Sequence, residues 1–301
     1  MERADESLTF TDEKYSKQIL RSLDHLRREG IMCDVIIKAA DQEFPAHRNI
    51  LSASSDYFFA MFNGNMRESN EEVITISEVQ PESMKAILDF IYTGVIILDK
   101  NNVESILQGA NLMLVQSVKD ACCRFLESRL NVTNCLGIQS FAEAYACQDL
   151  WNIASKFVAQ NFSSVCDTDE FLNLAPKQLS VLLGSDDICV ENEEKVYEAL
   201  ISWVKKDLQA RRQFFVDLIQ LIRLPLVSPY YLVDVVEKDE LVQSSPSCRE
   251  LLLEAQHFHM LPERRTQMNN IRTKPRNYER FNEMLIAIGG NGDYTNLTTG
   301  Q

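Results

Sequence analysis

Few residues of this chain have the types and spacing that catalysis or metal binding requires. Its 301 residues contain no serine-nucleophile elbow, no phosphate-binding glycine loop, no dinucleotide fingerprint and no zinc-protease helix motif. His257 and His259 are two positions apart on a predicted helix and would not face each other. His47 has no second metal-type residue at ligand spacing nearby. The sequence therefore predicts a non-enzymatic protein with no cofactor and no metal.

Thiols offer a second kind of chemistry. The eight cysteines include no C-x-x-C pair, and most fall inside apolar helical patterns, at positions 33, 122, 123, 135, 147, 166, 189 and 248. We interpret them as buried, reduced thiols, which predicts a reducing compartment: the cytoplasm, with the nucleus as the alternative. The alternative chemistry is a redox-sensing thiolate at Cys123 or Cys248, because an arginine follows each of them.

Composition and charge limit the class of partner. The chain has 44 acidic and 30 basic residues and a formal net charge of -14. A nucleic-acid or anionic-membrane surface needs concentrated lysine and arginine, so neither partner is expected. The first 30 residues are polar and charged, and no apolar run is long enough to cross a bilayer, so neither a signal peptide nor a membrane span is predicted.

The stretch from Cys33 to Glu68 organises the N-terminal part of the chain. Its β-branched run and the polar turn that follows predict a hairpin over residues 35–44. Pro45 is expected to end the pairing, because proline has no amide hydrogen for a ladder. A helical, aromatic-rich pattern then occupies residues 47–64, and residues 65–68 are predicted to form a solvent-facing loop.

Further patterns complete a predicted domain of residues 14–130, which follows a flexible arm of residues 1–13. Residues 14–29 place apolar side chains on one helical face and charges on the other. Downstream patterns predict a strand and three helices, over residues 73–76, 81–94, 102–114 and 117–130. This part of the chain is therefore an expected mixture of helices and short strands.

The rest of the chain changes character. In residues 131–262 strand-like runs nearly vanish and helical stripes follow one another closely, which predicts an antiparallel helical array. Residues 263–280 are basic and polar, and we interpret them as a solvated linker. A nucleic-acid patch is the alternative for this linker, but Tyr278 is its only aromatic residue. Residues 281–301 contain an apolar strand that ends in Gly289-Gly290.

The order of these patterns resembles known domains. The CDV strand, the F-x-A-H-R turn, the L-x-x-x-S-x-Y-F helix, the A-M-F segment and the later D-F-I-Y-T-G ending resemble the BTB/POZ domain. N-C-L-G-I-x-x-F-A-E, E-x-V-Y-E-A-L-I-S-W-V, R-L-P-L-V-S-P-Y-Y-L and C-R-E-L-L-L-E-A-Q-H-F-H-M-L-P-E-R-R resemble the BACK domain of kelch-like proteins. The Gly-Gly strand looks like the first strand of a kelch propeller. The resemblance implies an α+β BTB/POZ domain, an all-α BACK domain and an incomplete first kelch repeat.

This resemblance implies a function in ubiquitination. It predicts a non-enzymatic substrate adaptor of a cullin-3 RING E3 ubiquitin ligase, which forms a homodimer through BTB and docks cullin-3 through BTB and BACK. The substrate is unknown, because the propeller that would bind it is expected to be missing. The alternative is a BTB dimerisation module for transcriptional corepressors or cytoskeletal assembly, although no zinc-finger pattern is present.

A loop motif and three neighbours are the implied contacts with cullin-3. Met66-Arg67-Glu68 fits the hydrophobic–any–acid pattern of the family's cullin-3 loop. An exposed methionine is a flexible apolar group that suits a groove, and Glu68 can accept hydrogen bonds at its edge. Met61, Phe62 and Tyr92 lie near that surface in the family, although their pattern also fits core packing. For the loop, the alternative is a polar turn with an incidentally exposed methionine.

The resemblance also implies a dimer interface. In BTB domains the helix that corresponds to residues 14–29 packs across a two-fold axis. The expected interface residues on this helix are Ile19, Leu20, Leu23 and Leu26. Asp34 and Arg48, where the BTB pattern has an acid and a base, are also expected dimer-interface residues, and we expect them to form a buried pair in apolar surroundings. The alternative for the helix is that its apolar stripe covers the domain's own core.

Overall fold

The computed structural model describes residues 10–64 and 71–276. The chain forms two compact units, Met1–Ser155 and Lys156–Gln301, which we call the N-terminal unit and the C-terminal unit. The expected kelch strand within residues 281–301 lies outside the described residues. The fold class is confirmed for the part described: an α+β domain with a small sheet is followed by helices.

The sheet of the N-terminal unit has three strands in the order β2-β1-β3. They are β1 Val35–Ala39, β2 Gln42–Ala46 and β3 Val73–Thr75. The strand β1 pairs antiparallel with β2 and parallel with β3. The short, β-branched run of the sequence thus becomes the central strand, where both edges are paired.

One prediction about this sheet is wrong. Pro45 does not end the hairpin but lies within β2, opposite Ile36. Ile36 donates its N–H to the carbonyl oxygen of Glu72, on the other side of β1, at 2.8 Å. The Ile36–Pro45 pair is therefore one that exchanges no hydrogen bond, and on this edge strand the missing N–H of proline removes nothing from the ladder.

In the described part of the chain, eight α-helices accompany the sheet, and the last of them runs past the end of the N-terminal unit at Ser155. They are α1 Tyr15–Arg28, α2 Arg48–Ser54, α3 Asp56–Asn63, α4 Pro81–Thr93, α5 Val103–Leu112, α6 Gln116–Ser128, α7 Cys135–Ala144 and α8 Gln148–Gln160. The helix α4 begins with its proline in the first turn and ends at Gly94, whose φ of 69° gives the predicted left-handed cap.

The core of the N-terminal unit includes residues beyond the sheet domain. Ile37 of β1 and Leu88 of α4 are fully buried in it. Ile138 and Ala142 of α7 and Leu150 of α8 belong to the same buried cluster. The helix α7 and the part of α8 up to Ser155 therefore pack as part of this unit.

The C-terminal unit is helical wherever it has regular structure in the described residues. Its α-helices are α9 Phe162–Val165, α10 Asp169–Leu172, α11 Pro176–Gly184, α12 Glu193–Lys206, α13 Leu208–Arg211, α14 Phe215–Ile219, α15 Pro229–Tyr231, α16 Glu240–Gln243 and α17 Pro246–Met260. Short 3₁₀ turns lie at Arg212–Phe214, Leu224–Leu226, Pro262–Gln267 and Ile271–Thr273, and a π-helical turn lies at Leu232–Val236. Trp203 is buried at the centre, and its indole N–H donates to the carbonyl oxygen of Leu174 at 2.9 Å.

The interpretation of residues 263–280 as a solvated linker is wrong at Arg272 and Arg276, whereas residues 263–267 are exposed. Arg272 pairs with Glu254 of α17 at 2.7 Å, and Arg276 is buried against Glu193. The sequence suggested a solvated run because the partners of both arginines are distant in the chain. Among the described residues, no helix is long and apolar enough to cross a membrane.

Candidate functional site

The helix α1 is attached to the N-terminal unit by its charged side. Asp24 and Arg27 are its buried residues. The Arg27 guanidinium lies 2.8 Å from the Asp24 carboxylate, pairs with Asp89 of α4, and stands 4.9 Å from the ring centroid of Tyr92. Burial opposes this charge, but the hydrogen bonds and charges of the two carboxylates more than offset it and raise the pKa of Arg27.

The apolar side of α1 is left partly uncovered in the single chain. Ile19 is 43% exposed and Tyr15 is 61% exposed. Leu20 and Leu26 are half-buried, and half-buried Leu23 packs against the core of the unit. Leu23 thus fits the alternative that the stripe covers its own core, whereas Ile19 does not. An amphipathic helix that exposes part of its apolar stripe is suited to contact another protein.

Asp34 and Arg48 do not form the buried pair that we expected. In the single chain Asp34 is exposed and Arg48 is half-buried, so that expectation is wrong for the single chain. Instead, the Asp34 carboxylate accepts the backbone N–H of Arg48 at 2.8 Å, at the start of α2. The Arg48 Nε donates to the backbone carbonyl oxygen of Asp34 at 3.2 Å. The contact therefore fixes the start of α2 against β1.

Arg48 also contacts residues on both sides of the predicted partner loop. Its guanidinium lies 4.8 Å from the ring centroid of Phe62, which precedes the loop. Its Nη2 donates to the carbonyl oxygen of Glu71, which follows the loop. The predicted contact residues Met66, Arg67 and Glu68 lie outside the described residues. In the described residues, then, Arg48 joins the two flanks of this segment.

Tyr92 lies in the core and not at the surface. It is fully buried, and its hydroxyl oxygen accepts the backbone N–H of His47 at 2.9 Å. The same oxygen lies 2.9 Å from His47 Nδ1, while His47 Nε2 lies 3.9 Å from Cys33 Sγ. Burial raises the pKa of Tyr92 to about 12. In this conformation Tyr92 can support the surface near α2 but cannot itself touch a partner.

The helix α3 carries both core and surface aromatic residues. Phe58 is buried, and half-buried Phe62 stacks on it with a centroid distance of 5.8 Å. Half-buried Met61 also packs against the core. Phe59 is 51% exposed, and the sequence interpretation did not single it out. Its position was the available signal: Phe58 and Phe62 are four residues apart and share the buried face, which turns Phe59 away from it.

A cavity of about 330 Å³ lies between α7 and α8, within the N-terminal unit. Ala142, Glu143, Ala146, Gln148 and Trp151 line it. The turn between the two helices is tied to α6, because Lys119 donates to the carbonyl oxygen of Tyr145 at 2.8 Å. The N-terminal unit therefore presents a concave surface that is lined by the aromatic ring of Trp151 and the carboxylate of Glu143.

The thiols do not support the redox alternative. All eight cysteines lie in the described residues as thiols outside any disulfide bond, and six of them are buried. Burial raises the pKa of Cys123 to about 12 and also raises the pKa of Cys248. Neither shift favours a thiolate, so the alternative of a redox sensor at Cys123 or Cys248 gains no support. Within residues 10–64 and 71–276, no group of three or more metal-ligating side chains comes together.

Comparison with known proteins defines the class. Residues 23–130 match the family profile of the BTB/POZ domain. Residues 135–237 match the profile described as BACK, "BTB And C-terminal Kelch". The small sheet with its surrounding helices and the helical region that follows are thus those of a BTB–BACK protein.

Sequence identity to a known protein identifies the family within this class. The chain is 38% identical over 290 residues to human Kelch-like protein 17, an alignment that covers 96% of this chain and 45% of that protein. The chain therefore spans less than half the length of this relative. It belongs to the kelch-like family of BTB–BACK proteins. Among solved structures, the BTB domain of zebrafish PATZ1 matches at 29% identity with a TM-score of 0.37, over 40% of this chain and 99% of that domain.

Proposed function

We propose that the chain is a non-enzymatic scaffold that forms a homodimer through α1 and docks cullin-3 as an adaptor of a ubiquitin ligase. Membership of the kelch-like family supports the choice of partner. The observation that carries the dimer is the orientation of α1, whose charged side is buried while part of its apolar stripe is exposed. We propose the cytoplasm as its location.

Dimerisation would cover the exposed side of α1. Ile19 and Tyr15 are the large exposed side chains of this helix, and Met32, 81% exposed, follows it after a short turn. Full burial of one such side chain contributes about 1.5–3 kcal/mol. In a two-fold interface each of these residues contributes twice, once from each protomer.

Cullin-3 docking is proposed for Met66, Arg67 and Glu68, together with α3. Exposed Phe59 and half-buried Met61 supply apolar surface on that helix. Arg48 supports this region indirectly, because it holds the flanking Phe62 and Glu71. The cavity between α7 and α8 belongs to the same compact unit, and we propose it as a further contact with cullin-3 through the BACK helices.

A binding experiment tests the docking proposal. The parent chain should retain the N-terminal domain of cullin-3 in a pull-down, and Met66→Asp and Glu68→Lys should each weaken binding about tenfold or more, since each removes an apolar anchor or reverses a charge. Val181→Asp, at an exposed position of α11 in the C-terminal unit, is the matched control. Parent-like binding by both loop variants would reject the loop assignment. Absence of binding by the parent chain would favour a corepressor or cytoskeletal module instead.

A further inference from the structure

The described chain ends on an arginine whose hydrogen-bonding capacity is fully used inside the C-terminal unit. Arg276 is 3% exposed. Its Nε donates to Glu193 Oε1 at 2.6 Å, and its Nη2 donates to Glu193 Oε2 and to the carbonyl oxygen of Leu221, both at 3.3 Å. Its Nη1 donates to the carbonyl oxygens of Leu183 and Ser185, at 2.8 Å and 2.5 Å. These five hydrogen bonds match the five N–H groups of a guanidinium.

The groups that accept these hydrogen bonds are arranged for a cation. Glu193 is 5% exposed and is the first residue of α12, where a carboxylate is favoured by the positive end of the helix. Leu183 and Ser185 are at the C-terminal end of α11, and Leu221 follows α14. Carbonyl groups at helix ends lack partners within the helix and carry partial negative charge. A buried carboxylate and three backbone carbonyls thus surround one guanidinium, and the Leu183 carbonyl belongs to the last turn of a helix.

The residues just before Arg276 are also held by the C-terminal unit. Asn270 donates from its side chain to Glu254 at 2.6 Å, and Arg272 donates to the other oxygen of the same carboxylate at 2.7 Å. Arg223 donates to the carbonyl oxygen of Lys274 at 2.7 Å. The segment therefore has four attachments within seven residues.

The site distinguishes arginine from other cations. Burial lowers the pKa of Arg223, and the positive charge of Arg276 lowers it further. Because the positive charge of Arg223 already lies near the site, a second cation there needs directional hydrogen bonds as well as charge. A lysine has three donors on one nitrogen and cannot reach the carboxylate and the three carbonyls together, whereas the planar fork of arginine can.

We propose that the C-terminal unit contains a specific guanidinium-binding site, and that residues 270–276 are its intramolecular ligand. Arg276, the last described residue, is therefore fixed on the C-terminal unit. The residues that form this site all lie in the C-terminal unit, and none of them is among the residues proposed for the cullin-3 or dimer surfaces.

Hydrogen exchange of the full chain tests the site. Amides of residues 272–274, among them the N–H of Thr273 that donates to Asn270 at 3.2 Å, report on the segment. Arg276→Lys should speed their exchange about tenfold or more, which corresponds to the loss of about 1.4 kcal/mol of local stability. Arg264→Lys, at an exposed position of the preceding turn, should leave it unchanged.

Two further comparisons separate a site-specific effect from general unfolding. Glu193→Gln keeps an acceptor but removes the charge, and it should also speed exchange of the segment. Amides of α4 in the N-terminal unit should exchange at the parent rate in all variants. Parent-like exchange of the segment in Arg276→Lys, or equal acceleration in Arg264→Lys, would overturn the proposal.

Discussion

The helix α1 and the segment 270–276 are both attached by a buried arginine, but they differ in what remains exposed. Arg27 holds α1 to Asp24 and Asp89 through the charged side of the helix, so part of the apolar stripe faces outward. Arg276 uses all five of its donors inside the C-terminal unit. A buried arginine therefore does not by itself mark an interface. What matters is which side of the anchored element remains exposed.

The largest expected losses of stability come from replacing Arg276 or Arg27 by alanine, and their sizes should differ between the two units. Arg276→Ala removes the two hydrogen bonds that the guanidinium donates to buried Glu193, and we expect the C-terminal unit to lose about 3 kcal/mol or more of its free energy of unfolding. Arg27→Ala leaves Asp24 and Asp89, but the Asp89 side chain is 27% exposed and water can solvate it. The N-terminal unit should therefore lose only about 1–2 kcal/mol.

The two tryptophans of the chain allow each unit to be followed by itself. Trp151 belongs to the N-terminal unit and Trp203 to the core of the C-terminal unit. Urea unfolding of the Trp151→Phe background therefore reports on Trp203 alone, and the difference from the parent reports on Trp151. Arg264→Ala, at an exposed position, should stay within about 0.5 kcal/mol. A larger loss for Arg27→Ala than for Arg276→Ala would contradict the comparison.

Charge on the exposed side of α1 should break the dimer without unfolding the chain. Ile19→Asp places a carboxylate twice in a two-fold interface, and we expect the dimer dissociation constant to rise about a hundredfold, or tenfold for each copy. Sedimentation equilibrium measures this change. Because Ile19 is 43% exposed in the single chain, monomer stability should change little. An unchanged dissociation constant would assign α1 a role other than dimerisation.

One glycine in each unit tests how tightly the side chains around it are packed. A Cβ added at Gly109 of α5 would lie 2.9 Å from Ile87 Cδ1 and 3.0 Å from Val79 Cγ1. Gly109→Ala should therefore destabilise the N-terminal unit by about 1–3 kcal/mol. A Cβ at Gly184 of α11 would come no closer than 3.7 Å, to Leu221 Cδ2. Urea unfolding should show little loss for Gly184→Ala, and equal losses at both glycines would contradict these packing differences.

The sequence predicted where the helices lie along the chain better than it predicted which side of each helix is buried. The spacing of apolar residues was enough to place α1, α4, α5 and α6, because helix periodicity is a local property. Periodicity did not show which side of α1 is buried. Arg27 finds Asp89 at a distance of 62 positions along the chain, so a charged side became the attached one. That choice depends on tertiary contacts which no local pattern encodes.

The same reason explains the errors elsewhere. Arg276 lies in a basic run that looks solvated, but its carboxylate partner Glu193 is 83 positions earlier. Pro45 looked like a strand end, but the strand order places it on an edge where its nitrogen needs no partner. The motif Met66-Arg67-Glu68 was predicted from resemblance alone and stays a prediction, because these residues lie outside the described part of the chain.

The most direct test of the central claim is the mass of the complex that the purified chain forms with the N-terminal domain of cullin-3, measured by light scattering after gel filtration. A closed two-fold dimer that offers its α1 stripe to a second copy predicts two chains with two cullin-3 domains. The chain alone should then have the mass of a dimer. A monomeric chain, or a complex of one chain with one cullin-3 domain, would contradict the claim that the exposed side of α1 is a dimer interface.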